Sequence, residues 1–95
     1  MDTYLQANQE LWNEWTPLHK QSPRYRLAEF KAGASTLRPV EQAELTKVAG
    51  KSLLHLQCHF GPDTLSWTRA GAIVTGVDMS DRSIKLARSL SAELN

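Results

Sequence analysis

Ninety-five residues with 11 Lys and Arg against 10 Asp and Glu leave a formal net charge of +1, and the charges are spread along the chain. That excludes the basic face of a nucleic-acid binder and the like-charge block of an acidic tail. Hydrophobic residues at 41% and charged residues at 22% describe a folded globular chain of one domain or less, whose core is thin for want of length.

The first predicted element runs from Thr3 to about Trp15, where helix formers dominate and Tyr4, Leu5, Leu11, Trp12 and Trp15 recur at spacings that line one face. Thr16-Pro17 is expected to end it, because the residue before a proline is pushed out of the helical region. A second helix is expected from Ser22 as N-cap and Pro23 at its first position to Gly33. A third repeats that grammar between Pro39 and Gly50.

The period then changes. SLLHLQ, Ser52 to Gln57, is too short for a typical helix and reads as a strand buried on both faces, as in a parallel sheet. Gly61-Pro62 opens a helix to about Arg69, and Gly71 closes it. AIVTGVD, rich in Ile and Val, is a second strand. Ser80 caps a last helix whose Ile84, Ala87, Leu90 and Leu94 share a face.

The fold class expected is therefore α/β. A helical cap over residues 1–50 precedes, over residues 51–95, the first β-α-β-α of a Rossmann-like parallel sheet. Such a pair of strands leaves edges and apolar faces uncovered, and a third strand is due where the chain stops at Asn95. The expectation is the front part of a longer protein, incomplete and inactive or nearly so by itself, or a chain that self-associates.

Ligands of open α/β sheets bind beyond the carboxyl ends of the strands. Here those ends are Leu56 to Gly61 and, after the second strand, Asp78 with Met79. The helix opening at Pro62 aims its free amides into the same crevice. Asp78 follows Gly61 at close to the spacing of about 20 residues at which an acidic side chain accepts from both hydroxyls of a ribose. The alternative is that Asp78 is turn chemistry ahead of Ser80.

From Lys51 to Leu94, a little under half of the chain, LLHLQCHFGPDTLSWTRAGAIVTGVDMSDRSIKLAR resembles the first βαβα of the class I S-adenosylmethionine-dependent methyltransferases. That family reads acidic-x-Gly-x-Gly-x-Gly in its first turn and Gly-x-Asp-x-Ser after its second strand. Gly76-Val77-Asp78-Met79-Ser80 fits the second motif completely. In the first, His55 stands at the acidic position, Gln57 and His59 replace two glycines, and Gly61 keeps its place. The opening YLQANQELWNEWTPLHKQSP resembles the helical lead-in of a bacterial subgroup whose first turn also reads Leu-Gln-Cys-His-Phe-Gly.

The resemblance implies S-adenosyl-L-methionine as cofactor, with Gln57, Cys58 and Gly61 walling its methionine portion. It implies Asp78 on the ribose hydroxyls and Met79 on the adenine edge. His55 then replaces the acidic contact to the methionine amino group by a weaker partner, and His59 brings a side chain where glycine permits close backbone approach. The reaction implied is attack by a nucleophile of an unidentified, small-molecule acceptor on the sulfonium methyl group. No catalytic base is identified.

Two other chemistries are weighed in the same stretch. His55, Cys58 and His59 fall short of the four spaced ligands of a structural zinc site, and the remaining histidine, His19, lies far off in sequence, so no metal is expected. A nucleophilic Cys58 would need a base beside it, and a lone cysteine is more often a small buried filler. Trp12 and Trp15 read as core anchors, or else Tyr4, Trp12 or Tyr25 rims a lid that excludes water from the transfer. Trp67 reads as packing.

Rival classes are a nicotinamide-dependent oxidoreductase, whose pyrophosphate Gln57 and His59 would obstruct, and a non-enzymatic self-associating fragment. A single cysteine permits no internal disulfide, the start MDTYLQANQELWNEW lacks the regions of a signal peptide, and no apolar run approaches a span of roughly 18 residues. The location expected is cytoplasmic.

Overall fold

A computed structural model describes residues 2–94. They form a mixed α/β chain in the order α1 (Thr3–Gln21), a 3-10 turn (Pro23–Tyr25), α2 (Leu27–Lys31), α3 (Pro39–Glu44), β1 (Ser52–Leu56), α4 (Pro62–Arg69), β2 (Ile73–Val77) and α5 (Asp81–Leu94). β1 and β2 pair in parallel, with Ser52 opposite Ile73 and Leu56 opposite Val77.

The second half follows its local signals. Gly61 takes a left-handed conformation, φ 94°, and Pro62 starts α4 with a preset φ at a position whose N–H is not needed. Ser80 caps α5, its Oγ accepting from the Ser83 amide at 3.1 Å. Trp67 of α4 packs with Leu37 and Ala72, and Val48, Leu53 and Val74 close around them. This is the core beneath one face of the sheet. Gly76 belongs to that face for a steric reason: a Cβ there would lie 3.0 Å from Cys58 Sγ and 3.2 Å from Thr64.

The other face departs from expectation. β1 is not buried on both sides, because Leu54, Leu56, Ile73 and Val77 stand in one bare patch, each between 48% and 65% exposed. α4 covers only the side of Leu53, His55, Val74 and Gly76.

The first half departs more. α1 does not stop at Thr16 but runs through Pro17 to Gln21. Pro17 cannot donate to the Asn13 carbonyl, and that oxygen accepts instead from Arg82 Nη1 of α5 at 3.1 Å. A tertiary contact thus satisfies the group whose orphaning would break the helix. Ser22 caps only the 3-10 turn, after which Arg26 turns left-handed at φ 50° and α2 lasts five residues. α3 ends at Glu44, well short of Gly50.

The face that α1 buries is also not the expected one. Tyr4, Leu5, Leu11, Trp15 and Leu18 are exposed, Tyr4 at 85%. The helix docks on its polar side. Gln9 Nε2 donates to the Met79 carbonyl at 2.8 Å, and Asn13 Oδ1 accepts from Ser80 Oγ at 2.6 Å and from the Arg82 amide at 3.2 Å. Thr16 Oγ1 lies 2.7 Å from Ser83 Oγ. These residues recur at helical spacing and form one stripe against the start of α5. No helix among the described residues is long and apolar enough to cross a membrane.

Candidate functional site

The turn between β1 and α4 has an alternating backbone. Gln57 (φ 55°), His59 (φ 57°) and Gly61 (φ 94°) are all left-handed, a conformation that glycine adopts freely and other residues only at a cost of roughly 1–2 kcal/mol each. Those are the three positions at which the motif quoted above carries glycine. The chain keeps the backbone path of a glycine-rich turn while two of its glycines are side chains.

Asp78 holds this turn in place. One carboxylate oxygen accepts from the His59 amide at 2.8 Å and the other from the Ser80 amide at 2.9 Å. Asp78 therefore ties the end of β1 to the end of β2 as well as serving its own turn. Each oxygen retains a second lone pair for another donor. The Cys58 amide adds a bond to the Val77 carbonyl at 3.0 Å.

Beyond the strand ends lies a cavity of about 500 Å³, lined by Leu56, Gln57, His59, Val77, Asp78 and Met79 below and by Trp12 and Tyr25 of the cap above. Its walls are apolar and aromatic with one carboxylate at the rim, the composition of a small-molecule site. A second cavity of about 540 Å³ lies against it and shares Tyr25, Gln57 and His59. There Arg24, Arg26 and Arg38 face Glu29, Glu41 and Asp63. Arg26 is paired with Glu29, Arg38 with Glu41, and Asp63 accepts from the Thr36 hydroxyl.

The five residues expected at the site are thus distributed. Gln57, Asp78 and Met79 line the strand-end cavity. Cys58 is buried and touches the second cavity instead. Gly61 lines neither; it lies buried beneath α5, where a Cβ would come 3.0 Å from that of Ala87. His55 faces α4, its Nδ1 bonded to Thr64 Oγ1 at 2.7 Å. Of the aromatic residues, Trp12 and Tyr25 reach the cavity and Tyr4 does not.

Burial pushes the Cys58 thiol above its ordinary value, and the charge of Asp78 adds to that, against smaller opposing hydrogen bonds from Thr64 and its own backbone. It is a packed, protonated thiol, not an activated one. His59 is pulled the other way. Burial lowers it first, His19 adds to that, and Asp78 offsets part.

His59 sits among rings: Trp12, His19, Tyr25 and Phe60 have centroids 4.8–5.6 Å from its own. His19, distant in sequence, places Nδ1 2.9 Å from His59 Nε2. Gln9, Asn13, Thr16, His19 and Ser83 were not legible as site residues. The available signal was the polar stripe on α1, masked by the louder apolar one. Among the described residues, no group of three or more His, Cys, Asp or Glu side chains could hold a metal ion.

Compared with protein-family models, with curated proteins and with solved structures, the chain matches none.

Proposed function

We propose that this chain is the cofactor-binding portion of an S-adenosylmethionine-dependent methyltransferase with a Rossmann-like sheet, and that S-adenosyl-L-methionine occupies the strand-end cavity. The observation that carries the reading is the left-handed backbone at Gln57, His59 and Gly61. A strand-to-helix turn built on alternate left-handed residues is costly without glycine, and it persists here beside a cavity with a carboxylate at its rim. The Gly76-to-Ser80 motif supports the same reading.

The residues present fit the cofactor. Asp78 has free lone pairs for the ribose diol, Met79 and Leu56 offer apolar surface to the adenine, and the ring faces of Trp12 and Tyr25 suit a sulfonium by cation–π attraction. When bound, the cofactor supplies an electrophilic methyl group. The chain's share is to bind and orient it and to exclude water. The methyl acceptor, a small molecule on this reading, has the adjoining cavity available, separated by the shared residues Tyr25, Gln57 and His59.

Calorimetric titration with S-adenosylhomocysteine tests the proposal. Saturable binding that Asp78→Ala weakens by about 1.5–3 kcal/mol is the expected result. Heat with NAD and none with S-adenosylhomocysteine would overturn it in favour of a nicotinamide enzyme. That class is disfavoured by the Gln57 and His59 side chains, which stand where a pyrophosphate must approach the backbone.

A second reading, self-association, is favoured by the bare patch of Leu54, Leu56, Ile73 and Val77. Parallel sheets are found with both faces covered. Further elements of the same domain or a second copy would each cover this one.

A further inference from the structure

The hydrogen bonds around His59 admit one proton order. The Trp12 carbonyl can only accept, so Thr16 Oγ1, 2.7 Å away, donates to it. Ser83 Oγ, 2.7 Å from Thr16 Oγ1, must then give its own proton to Thr16. That leaves Ser83 as acceptor towards His59 Nδ1 at 3.1 Å, so Nδ1 carries hydrogen. Neutral His59 is then bare at Nε2, and His19 Nδ1 donates to it at 2.9 Å. The order runs His19 to His59 to Ser83 to Thr16 to the α1 backbone, out of the cap through the first turn and α5 and back into the cap. The Tyr25 hydroxyl, 3.4 Å from His19 Nδ1, lies at its outer end.

We infer that His19 and His59 are positioning residues that clamp the aromatic cap over the strand-end cavity, and that the clamp opens in acid when both rings are protonated. The inference rests on the reading of that cavity as a ligand site. A single proton shared by the two rings leaves every bond of the chain intact. A second must go to His59 Nε2. It then faces the His19 N–H across 2.9 Å, two donors and two cations with no acceptor between them. Trp12 and Tyr25 pack directly on both rings, so parting them opens the cavity's upper wall.

The charged and titratable groups around His59 come from three elements besides its own turn. His19 on α1 opposes a charge on it, and the Tyr25 ring packs on it from the 3-10 turn. Asp78 from the end of β2 favours a charge, while each of its oxygens accepts one bond, from the His59 and Ser80 amides. Arg24 lines the adjoining cavity, to which His59 also contributes. Burial and the neighbouring imidazole together outweigh Asp78.

Two measurements on the whole chain test this. Nitrogen-15 NMR of the ligand-free protein at neutral pH should show His59 protonated at Nδ1 and bare at Nε2, and His19 protonated at Nδ1. On acidification the His59 ring should titrate together with a change in Trp12 fluorescence. Hydrogen on His59 Nε2 at neutral pH, or titration of His59 with Trp12 unmoved, would overturn the clamp. Secondly, S-adenosylhomocysteine should bind about tenfold or more weakly at about pH 5 than at neutral pH. His59→Asn, which tolerates the left-handed backbone, should bind with that dependence flattened. Equal binding at both pH values defeats the clamp and leaves the cofactor reading intact. No binding at any pH defeats the cofactor reading, and the NMR result then stands as the judgement on the clamp.

Discussion

Cys58 and Gly61 share the turn after β1, Asp78 at the end of β2 braces it, and their environments assign the three different work. The Cys58 thiol is enclosed under Gly76 and raised by burial and by Asp78. It should therefore react with iodoacetamide far more slowly in the native chain than in urea at mildly alkaline pH, and equal rates would show it exposed. Gly61 bears two constraints at once, a left-handed φ and Ala87 at 3.0 Å from a built Cβ. Gly61→Ala should cost about 2–3 kcal/mol by urea unfolding, of which Ala87→Gly recovers the steric part but not the backbone part. A cost below about 0.5 kcal/mol would mean that the turn relaxes freely. At this scale the sequence was informative about the turn conformation at Gly61 and the Asp78–Ser80 turn, because turn chemistry is local. The reading of Cys58 as a small buried filler also holds, though no local signal showed that Gly76 of the other strand encloses it.

At the scale of elements, the boundaries of β1, α4, β2 and α5 were readable, since each is punctuated by its own Gly, Pro or Ser. α1 was not. Pro17 is a stop signal only if the Asn13 carbonyl is left without a donor, and the donor that arrives, Arg82, lies on another helix. The apolar periodicity of Tyr4, Leu5, Leu11 and Trp15 suggested the buried side, and the helix docks by Gln9, Asn13, Thr16 and His19 instead. No window of sequence contains both halves of that contact. Asn13 concentrates the docking, accepting twice through its side chain and once through its backbone. Asn13→Ala should destabilise by about 1–3 kcal/mol, because Ser80 Oγ is fully buried and would lose its acceptor. The loss should appear as faster amide exchange across α1 with the β1–β2 amides little changed. Uniform acceleration through the sheet would show instead that α1 and the sheet unfold as one unit.

The whole molecule combines a polar cap interface with an apolar sheet face, and the two respond to different variables. The cap interface responds to pH. The unfolded chain takes up a proton at His59 around 6.5, and the folded chain does so only at lower pH, because burial and His19 oppose it. Below about 6.5 the unfolded state therefore binds more protons, and folding stability from this group falls with pH until the folded ring also titrates. Above 6.5 it contributes its full share. The sheet face responds to concentration. Leu54 and Leu56 stand 62% and 64% exposed, so replacing both with Lys removes little buried area and should leave the unfolding midpoint of a dilute sample nearly unchanged. The same change puts two cations into the apolar patch and should shift the sedimentation profile at high concentration towards monomer. If the Leu54→Lys, Leu56→Lys chain associates as the parent does, the bare face is not the contact. If instead it unfolds while dilute, the face is buried in the working state, and the exposure of these leucines marks a surface that other elements of the domain complete.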